Sequence, residues 1–170
     1  ASDVYKRQTF GTWQAPYSGG FGSRLRYKGF DFNILFSWQN GAYRYNNLEF
    51  FMENPGFLTS GYNQARSLNF WARPGDVATV QSPAQQNQFT SKYIQDAAFV
   101  RLRNVSIAYT VDREVLSKIK FIQGLRIFVN ANNLLTFTNW KGFDPEDNNN
   151  ISLSEFPNPR TITGGIEVKF

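Results

Sequence analysis

Arg160-Thr-Ile-Thr-Gly-Gly-Ile-Glu-Val-Lys-Phe170 alternates between two faces almost without a break. Ile162, Gly164, Ile166, Val168 and Phe170 fall on one side; Thr161, Thr163, Gly165, Glu167 and Lys169 fall on the other. Successive side chains of an extended chain point to opposite faces, so a period of two predicts a β-strand. A strand that runs into a terminal aromatic is unusual for a soluble domain, whose ends fray. It is the expected finish of a transmembrane β-barrel, where the last strand closes against the first and leaves no edge to lipid.

Four more strands precede it. Gly20–Lys28 sets Phe21, Leu25 and Tyr27 opposite Arg24, Arg26 and Lys28. A tight turn at Lys28-Gly29 leads into Phe30–Gln39, the cleanest periodic signal in the chain. There Phe30, Phe32, Ile34, Phe36 and Trp38 share one face, and Asp31, Asn33, Ser37 and Gln39 the other, which only Leu35 interrupts. A third strand over 99–111 carries Val105, Ile107 and Tyr109 on one face, and Asp112–Ile119 is expected to form one or two helical turns. The fourth, 125–135, places Leu125, Ile127, Val129 and Ala131 opposite Arg126, Asn130 and Asn132.

The connections alternate in length: a two-residue turn, the stretch 40–96, the short segment 112–124, then 136–159. Outer-membrane barrels have short periplasmic turns and long external loops. With a periplasmic end at Phe170, every connection falls on the side its length predicts, so 40–96 and 136–159 are expected outside. A Lys or Arg facing lipid costs about 2–4 kcal/mol at mid-bilayer. That assigns Arg24, Arg26, Asp31, Asn33, Arg126, Asn130, Glu167 and Lys169 to the lumen. Phe30, Phe32, Ile34, Phe36, Trp38, Val105, Ile107, Tyr109, Ile127 and Val129 are assigned to lipid. The third strand breaks the pattern, because Arg101 and Arg103 share parity with Val105 and Tyr109. Either a bulge near Arg103 or Asn104 switches the phase, or this end rises above the hydrocarbon.

Composition supports the same class. The chain has 17 Phe, 8 Tyr and 4 Trp among its 170 residues, yet its mean hydropathy is −0.44. No run approaches the roughly 18 apolar residues of a membrane-spanning helix. There is no Cys and no His. Disulfides and thiolate metal sites are excluded, and the usual general base is missing. No catalytic residue, cofactor or metal is expected. The net charge of +5 is spread along the chain rather than gathered, which argues against a nucleic-acid partner. Residues 1–8 are expected to be non-native. Asp3-Val-Tyr-Lys-Arg-Gln8 back-translates to GAT GTG TAT AAG AGA CAG, a transposon-end adapter string, so native sequence is expected from about Thr9.

Several segments carry a family resemblance. Tyr27-Lys-Gly-Phe-Asp31 with its alternating aromatics resembles a late hairpin of SusC/RagA-type TonB-dependent transporters. Tyr93-Ile-Gln-Asp-Ala-Ala-Phe-Val-Arg-Leu-Arg-Asn-Val-Ser-Ile-Ala-Tyr-Thr110 resembles that family's YIEDASFLRLKNVTLGYT segment. Leu125-Arg-Ile-Phe-Val-Asn-Ala-Asn-Asn-Leu-Leu-Thr136 resembles its LRVYVSGQNLFT strand, and Gly142-Phe-Asp-Pro-Glu146 and Pro157 to Phe170 also match. The resemblance runs from Tyr17 onward in order and spacing. It implies an all-β fold, about the last five strands of a 22-stranded antiparallel barrel plugged by a separate domain. It further implies import of oligosaccharides or peptides across the outer membrane of a Gram-negative bacterium of the Bacteroidota. Energy would come from TonB–ExbB–ExbD through an N-terminal part that this chain lacks, and a SusD-like surface lipoprotein would act as lid. The chain alone is not expected to transport.

Ile162, Ile166, Val168 and Phe170 resemble the signal read by the barrel-assembly machinery; the plain alternative is that they simply face lipid. Aromatics of the long stretch, Tyr43, Tyr45, Tyr62 and Trp71 among them, are candidates for contact with substrate or lid. Packing of the loop against itself is the commoner use of such residues. Trp38 and Trp140 read as an interfacial girdle. Asp144, Glu146 and Asp147 lack the glycine and distal Glu of an EF-hand and suit a solvated turn better than a calcium site. Two rivals remain: a soluble β-sandwich that binds carbohydrate through loop aromatics, and a glycoside hydrolase, which needs two placed carboxylates.

Overall fold

The computed structural model describes residues 9–54, 68–85, 88–119, 121–147, 149–153 and 155–170. The expected adapter segment 1–8 and the candidate contact Tyr62 lie outside the described residues. The chain forms two compact units: a sheet unit (Pro16–Asn40, Ala98–Asn139, Pro157–Phe170) and a loop unit built from Gly41–Ala97, Trp140–Phe156 and the segment up to Ala15.

The sheet unit contains β1 (Tyr17–Tyr27), β2 (Phe30–Asn40), β5 (Phe99–Thr110), β6 (Gly124–Thr138) and β7 (Thr161–Lys169). They pair antiparallel in the order β1-β2-β5-β6-β7. The first strand starts three residues earlier than its periodicity suggested, and the fourth extends to Thr138. Lys28 and Gly29 have φ of 43° and 83°, the paired positive values of a tight hairpin turn whose twist matches its strands. A Cβ on Gly29 would lie 2.5 Å from the Thr110 carbonyl, so glycine is required there on two counts. The short connection between β5 and β6 holds one helical turn, α2 (Arg113–Leu116), as expected. Its Leu116 is buried.

The register settles the anomaly in the third strand. Leu35 pairs with Asn104, but the next residue, Phe36, pairs with Leu102, so Arg103 is passed over as a bulge. The break recurs against β6, between the pairs Leu102–Leu135 and Asn104–Asn132. An extra residue switches strand phase. Arg101 therefore lies opposite Ser37, on the polar side, and Arg103 donates from Nε to the Ser37 hydroxyl at 2.7 Å. Of the two alternatives left open by the sequence, the structure takes the bulge.

The loop unit is more ordered than an irregular stretch. β3 (Tyr43–Tyr45) pairs with β4 (Ile94–Asp96), and α1 (Asn47–Met52) starts on Asn46, whose Oδ1 accepts from the Glu49 amide at 3.0 Å. Period-two or 3.6-residue patterning over so few residues is too brief to read, which is why these elements were not legible.

Candidate functional site

Two surfaces bear on function, one in each unit. In the sheet unit the pairing puts the charged and amide side chains of neighbouring strands side by side. Arg24 pairs with Asn33 and Arg26 with Asp31, and both guanidinium groups bond the Asp31 carboxylate: Arg24 Nε at 2.9 Å and Arg26 Nε at 3.2 Å. Further across, Asn33 donates to Asn104 Oδ1 at 3.2 Å. Asn104 in turn donates to Asn130 at 2.6 Å and Asn132 at 2.9 Å, and Asn132 donates to Thr161 at 3.2 Å. An amide ladder thus crosses four strands. Arg126 lies 3.7 Å from Glu167. A depression of about 480 Å³ opens on this face, lined by Arg24, Asp31, Asn33, Asn104, Asn130 and Arg126 with Ser106 and Phe128. All the residues assigned from sequence to a lumen share this face.

The other face carries Phe21, Leu25 and Tyr27 of β1 opposite Phe36, Phe32 and Phe30 of β2. Phe30, Phe32 and Ile34 continue onto Tyr109, Ile107 and Val105. These continue onto Ile127, Val129 and Ala131, and those onto Ile166, Gly164 and Ile162. Every residue assigned to lipid lies on this face, and so do Ile162, Ile166 and Val168 of the proposed assembly signal; Phe170 follows β7 and is exposed. Phe21 stacked on Phe36, centroids 4.9 Å apart, and the tilted rings of Phe30 and Tyr109, 4.6 Å apart, tie adjacent strands together. Phe128, like Leu35, departs from the division. It stands among the amides, and a Cβ on its partner Gly165 would meet the Phe128 ring at 2.5 Å.

In the loop unit, Tyr45 joins Phe50, Phe89 and Tyr93 in a cluster with centroid separations of 4.9–6.0 Å. Burial, with Tyr93 adjacent, pushes the Tyr45 phenol up to about 12. The Tyr43 ring lies against Gly11, and Trp71 belongs to a local bridge in which its amide donates to the Val80 carbonyl at 2.9 Å. The structure does not gather Tyr43, Tyr45 and Trp71 into one surface cluster through any contact among the described residues.

The residue that sequence reasoning missed is Arg44. It is 1% exposed. Its guanidinium donates to the backbone carbonyls of Asp147 at 2.7 Å, Asp144 at 3.2 Å and Pro145. It also faces the Asp147 carboxylate at 3.4 Å and lies 4.9 Å above the Trp140 ring. Desolvation lowers its pKa, and the carboxylates of Asp147, Asp144 and Glu155 oppose that shift. Burial likewise raises the Asp147 carboxyl. Two expectations are corrected here. Trp140 is buried beneath Arg44 with Ala42 and Ala97, because its ring supplies the floor for a cation, and is not a girdle residue. The 144–147 run is not a solvated turn: its carbonyls converge on a buried charge. Its carboxylates also cap the local backbone, Asp144 accepting from the Glu146 amide at 2.8 Å and Asp147 from Asn149 at 3.1 Å.

A sheet of antiparallel strands with one apolar face and one charged face is a stretch of wall from a transmembrane β-barrel. No protein-family model matches the chain. It is 35% identical over 181 residues to TonB-dependent receptor P3 of Formosa agariphila, covering 96% of this chain and 17% of that protein. TonB-dependent receptor SusC of Bacteroides thetaiotaomicron is 27% identical over 154 residues, 89% of this chain and 15% of SusC. The RagAB peptide importer matches in its open-open state with a TM-score of 0.81 at 27% identity, and in its closed-closed state with 0.83 at 30%. Each match covers 96% of this chain and 18% of the solved one. The chain is similar over nearly its whole length to TonB-dependent receptors of the SusC/RagA type, and it spans about a sixth of the length of the relatives it matches.

Proposed function

We propose that this chain is part of an outer-membrane active transporter that imports large nutrients, oligosaccharides or peptides. The observation that carries this reading is the two-faced sheet. Leu25, Tyr27, Phe30, Ile107, Ile127, Val129, Ile162 and Ile166 are all exposed in the chain by itself. Burying each such side chain is worth about 1.5–3 kcal/mol, so a face of this extent requires a cover, and lipid supplies it. The polar face then lines the lumen. Both long excursions leave and rejoin the sheet at one end, where Gln39 and Thr138 each pair with Phe99, and the two short turns lie at the other. That arrangement favours external loops at 40–96 and 136–159 and a periplasmic pair of turns.

On this reading the whole receptor would draw energy from TonB–ExbB–ExbD through parts outside this chain and work beneath a SusD-like surface lipoprotein. Ile162, Ile166, Val168 and Phe170 would serve the barrel-assembly machinery as well as face lipid. The chain's role is wall and loop, not catalysis, and it would not transport alone. A carbohydrate-binding sandwich would instead bury its apolar face against a second sheet. The test is one preparation of the intact receptor in its own outer membrane. Extraction should require detergent, deletion should abolish uptake of a glycan or peptide nutrient, and Phe170→Ala should lower the amount of receptor at the surface. Release of the receptor by salt alone, or uptake indifferent to the deletion, would reject the transporter reading. An unchanged folding yield for Phe170→Ala would reject the assembly-signal reading.

A further inference from the structure

Arg44 belongs to β3, in the first excursion, and every partner named above belongs to the second, about a hundred residues further along the chain. Residues 141–147 contain no helix or strand, so no ladder of their own holds them in shape. Three of their carbonyls converge instead on one planar cation. Beside it the backbone adds two links: the Tyr45 amide donates to the Asn150 carbonyl at 3.0 Å, and the Ser152 amide to the Tyr45 carbonyl at 3.0 Å. Lys141 reaches Glu49 at 3.8 Å on the rim. The chemistry is specific to arginine. Its fork of donors matches several acceptors in one plane and its flat face stacks on an indole, neither of which an ammonium does. Burying a charge costs several kcal/mol unless it is fully paired, so a guanidinium here is a poor device for stability and a good one for fixing one arrangement.

We propose that Arg44 is a positioning residue: it clamps the two excursions into one body, and reception of substrate depends on that clamp rather than on any contact Arg44 itself makes. The second half rests on the transport reading above. The experiment uses the intact receptor in outer-membrane vesicles, carrying Arg44→Lys, Arg44→Met or Asp147→Asn. Receptor level and heat-modifiable mobility should match the unaltered protein in all three. Protease should cut within 140–156 and 41–54 about tenfold faster in the Lys and Met variants, as expected when a charge-assisted network is lost. Asp147→Asn keeps all three carbonyl contacts but removes the carboxylate that faces the guanidinium, and should be cut faster than the unaltered protein yet more slowly than the Lys and Met variants. Uptake of a fluorescent cello-oligosaccharide mixture and of a fluorescent casein digest should show an apparent KM raised about tenfold in the unclamped variants, with maximum rate unchanged. Arg44→Lys protected like the unaltered protein would overturn the clamp, since charge alone would suffice. Unclamped loops with an unaltered KM would overturn the positioning role. Loss of both Arg44 variants from the membrane would overturn the independence of clamp and barrel. A receptor that takes up neither probe would overturn the transport reading and the reception half with it, while proteolysis still decides the clamp.

Discussion

Tyr45 separates two uses of a loop aromatic. Its ring is held among Phe50, Phe89 and Tyr93, and its hydroxyl is buried with no hydrogen-bond partner among the described residues. An unpartnered buried hydroxyl costs free energy, so Tyr45→Phe should leave the loop unit as stable at neutral pH or slightly more so. The titration makes the same point. The folded phenol ionises at about 12, whereas a tyrosine in the unfolded chain ionises near its ordinary value of 10.0. Because the folded value is the higher, the stabilising contribution is complete below pH 10 and is lost as pH rises toward 12. Protease protection of the 41–54 segment should therefore fall across that window, and the fall should be smaller in Tyr45→Phe. A variant that keeps its protection yet loses affinity for a transported nutrient would show instead that the hydroxyl meets substrate. Neither Tyr45's cluster nor Arg44's clamp was legible in the sequence. Both depend on partners far along the chain, and neither lies in a segment long enough to show a period.

At the level of elements, the last hairpin is held in register by a ring over a gap. A Cβ at Gly165 would stand 2.5 Å from Phe128 Cζ, whereas one at Gly164 would meet only the Phe128 carbonyl at 3.8 Å. β7 has Ile162 and Ile166 on the same face, so a two-residue slip would keep its apolar side outward. Hydrophobic pattern alone does not forbid that slip. The Phe128–Gly165 fit does, with help from Arg126 beside Glu167. Gly164→Ala should be close to neutral in the refolded receptor. Gly165→Ala should cost about 1–3 kcal/mol through overpacking. The pair Gly165→Ala with Phe128→Ala should cost less than the sum of its parts, the mark of residues in direct contact. Urea unfolding in detergent micelles measures all three, and strict additivity would remove the fit as the register lock. Four of the strands were legible because each holds a period of two over about nine residues or more, whereas β5 holds it only from Asn104 to Thr110. The bulge at Arg103 was half legible: two arginines out of phase with Val105 and Tyr109 signalled a break, but only pairing with both neighbours located it. Phe128 escaped the reading because an aromatic on a polar face makes sense only beside the glycine it covers.

For the molecule as a whole, the deciding quantity is what the 170 residues leave uncovered. Among the described residues β1 and β7 each have a neighbour on one side only, so two rows of backbone donors and acceptors stand open at the edges of the five-stranded sheet. Between those edges runs an apolar face on which side chains such as Leu25, Tyr27 and Ile162 are 63%, 65% and 72% exposed. Open edges template pairing with other chains, and apolar patches of this extent drive association in water. The 170-residue chain expressed without the rest of the receptor should therefore collect in the insoluble fraction. It should be recovered as β-rich protein only after denaturation and transfer into detergent, and lose that solubility when the detergent is diluted. Circular dichroism and sedimentation before and after dilution measure this. A monodisperse chain in plain buffer would mean that the apolar face finds a cover within the chain itself, and the barrel-wall assignment of that face would fall with it.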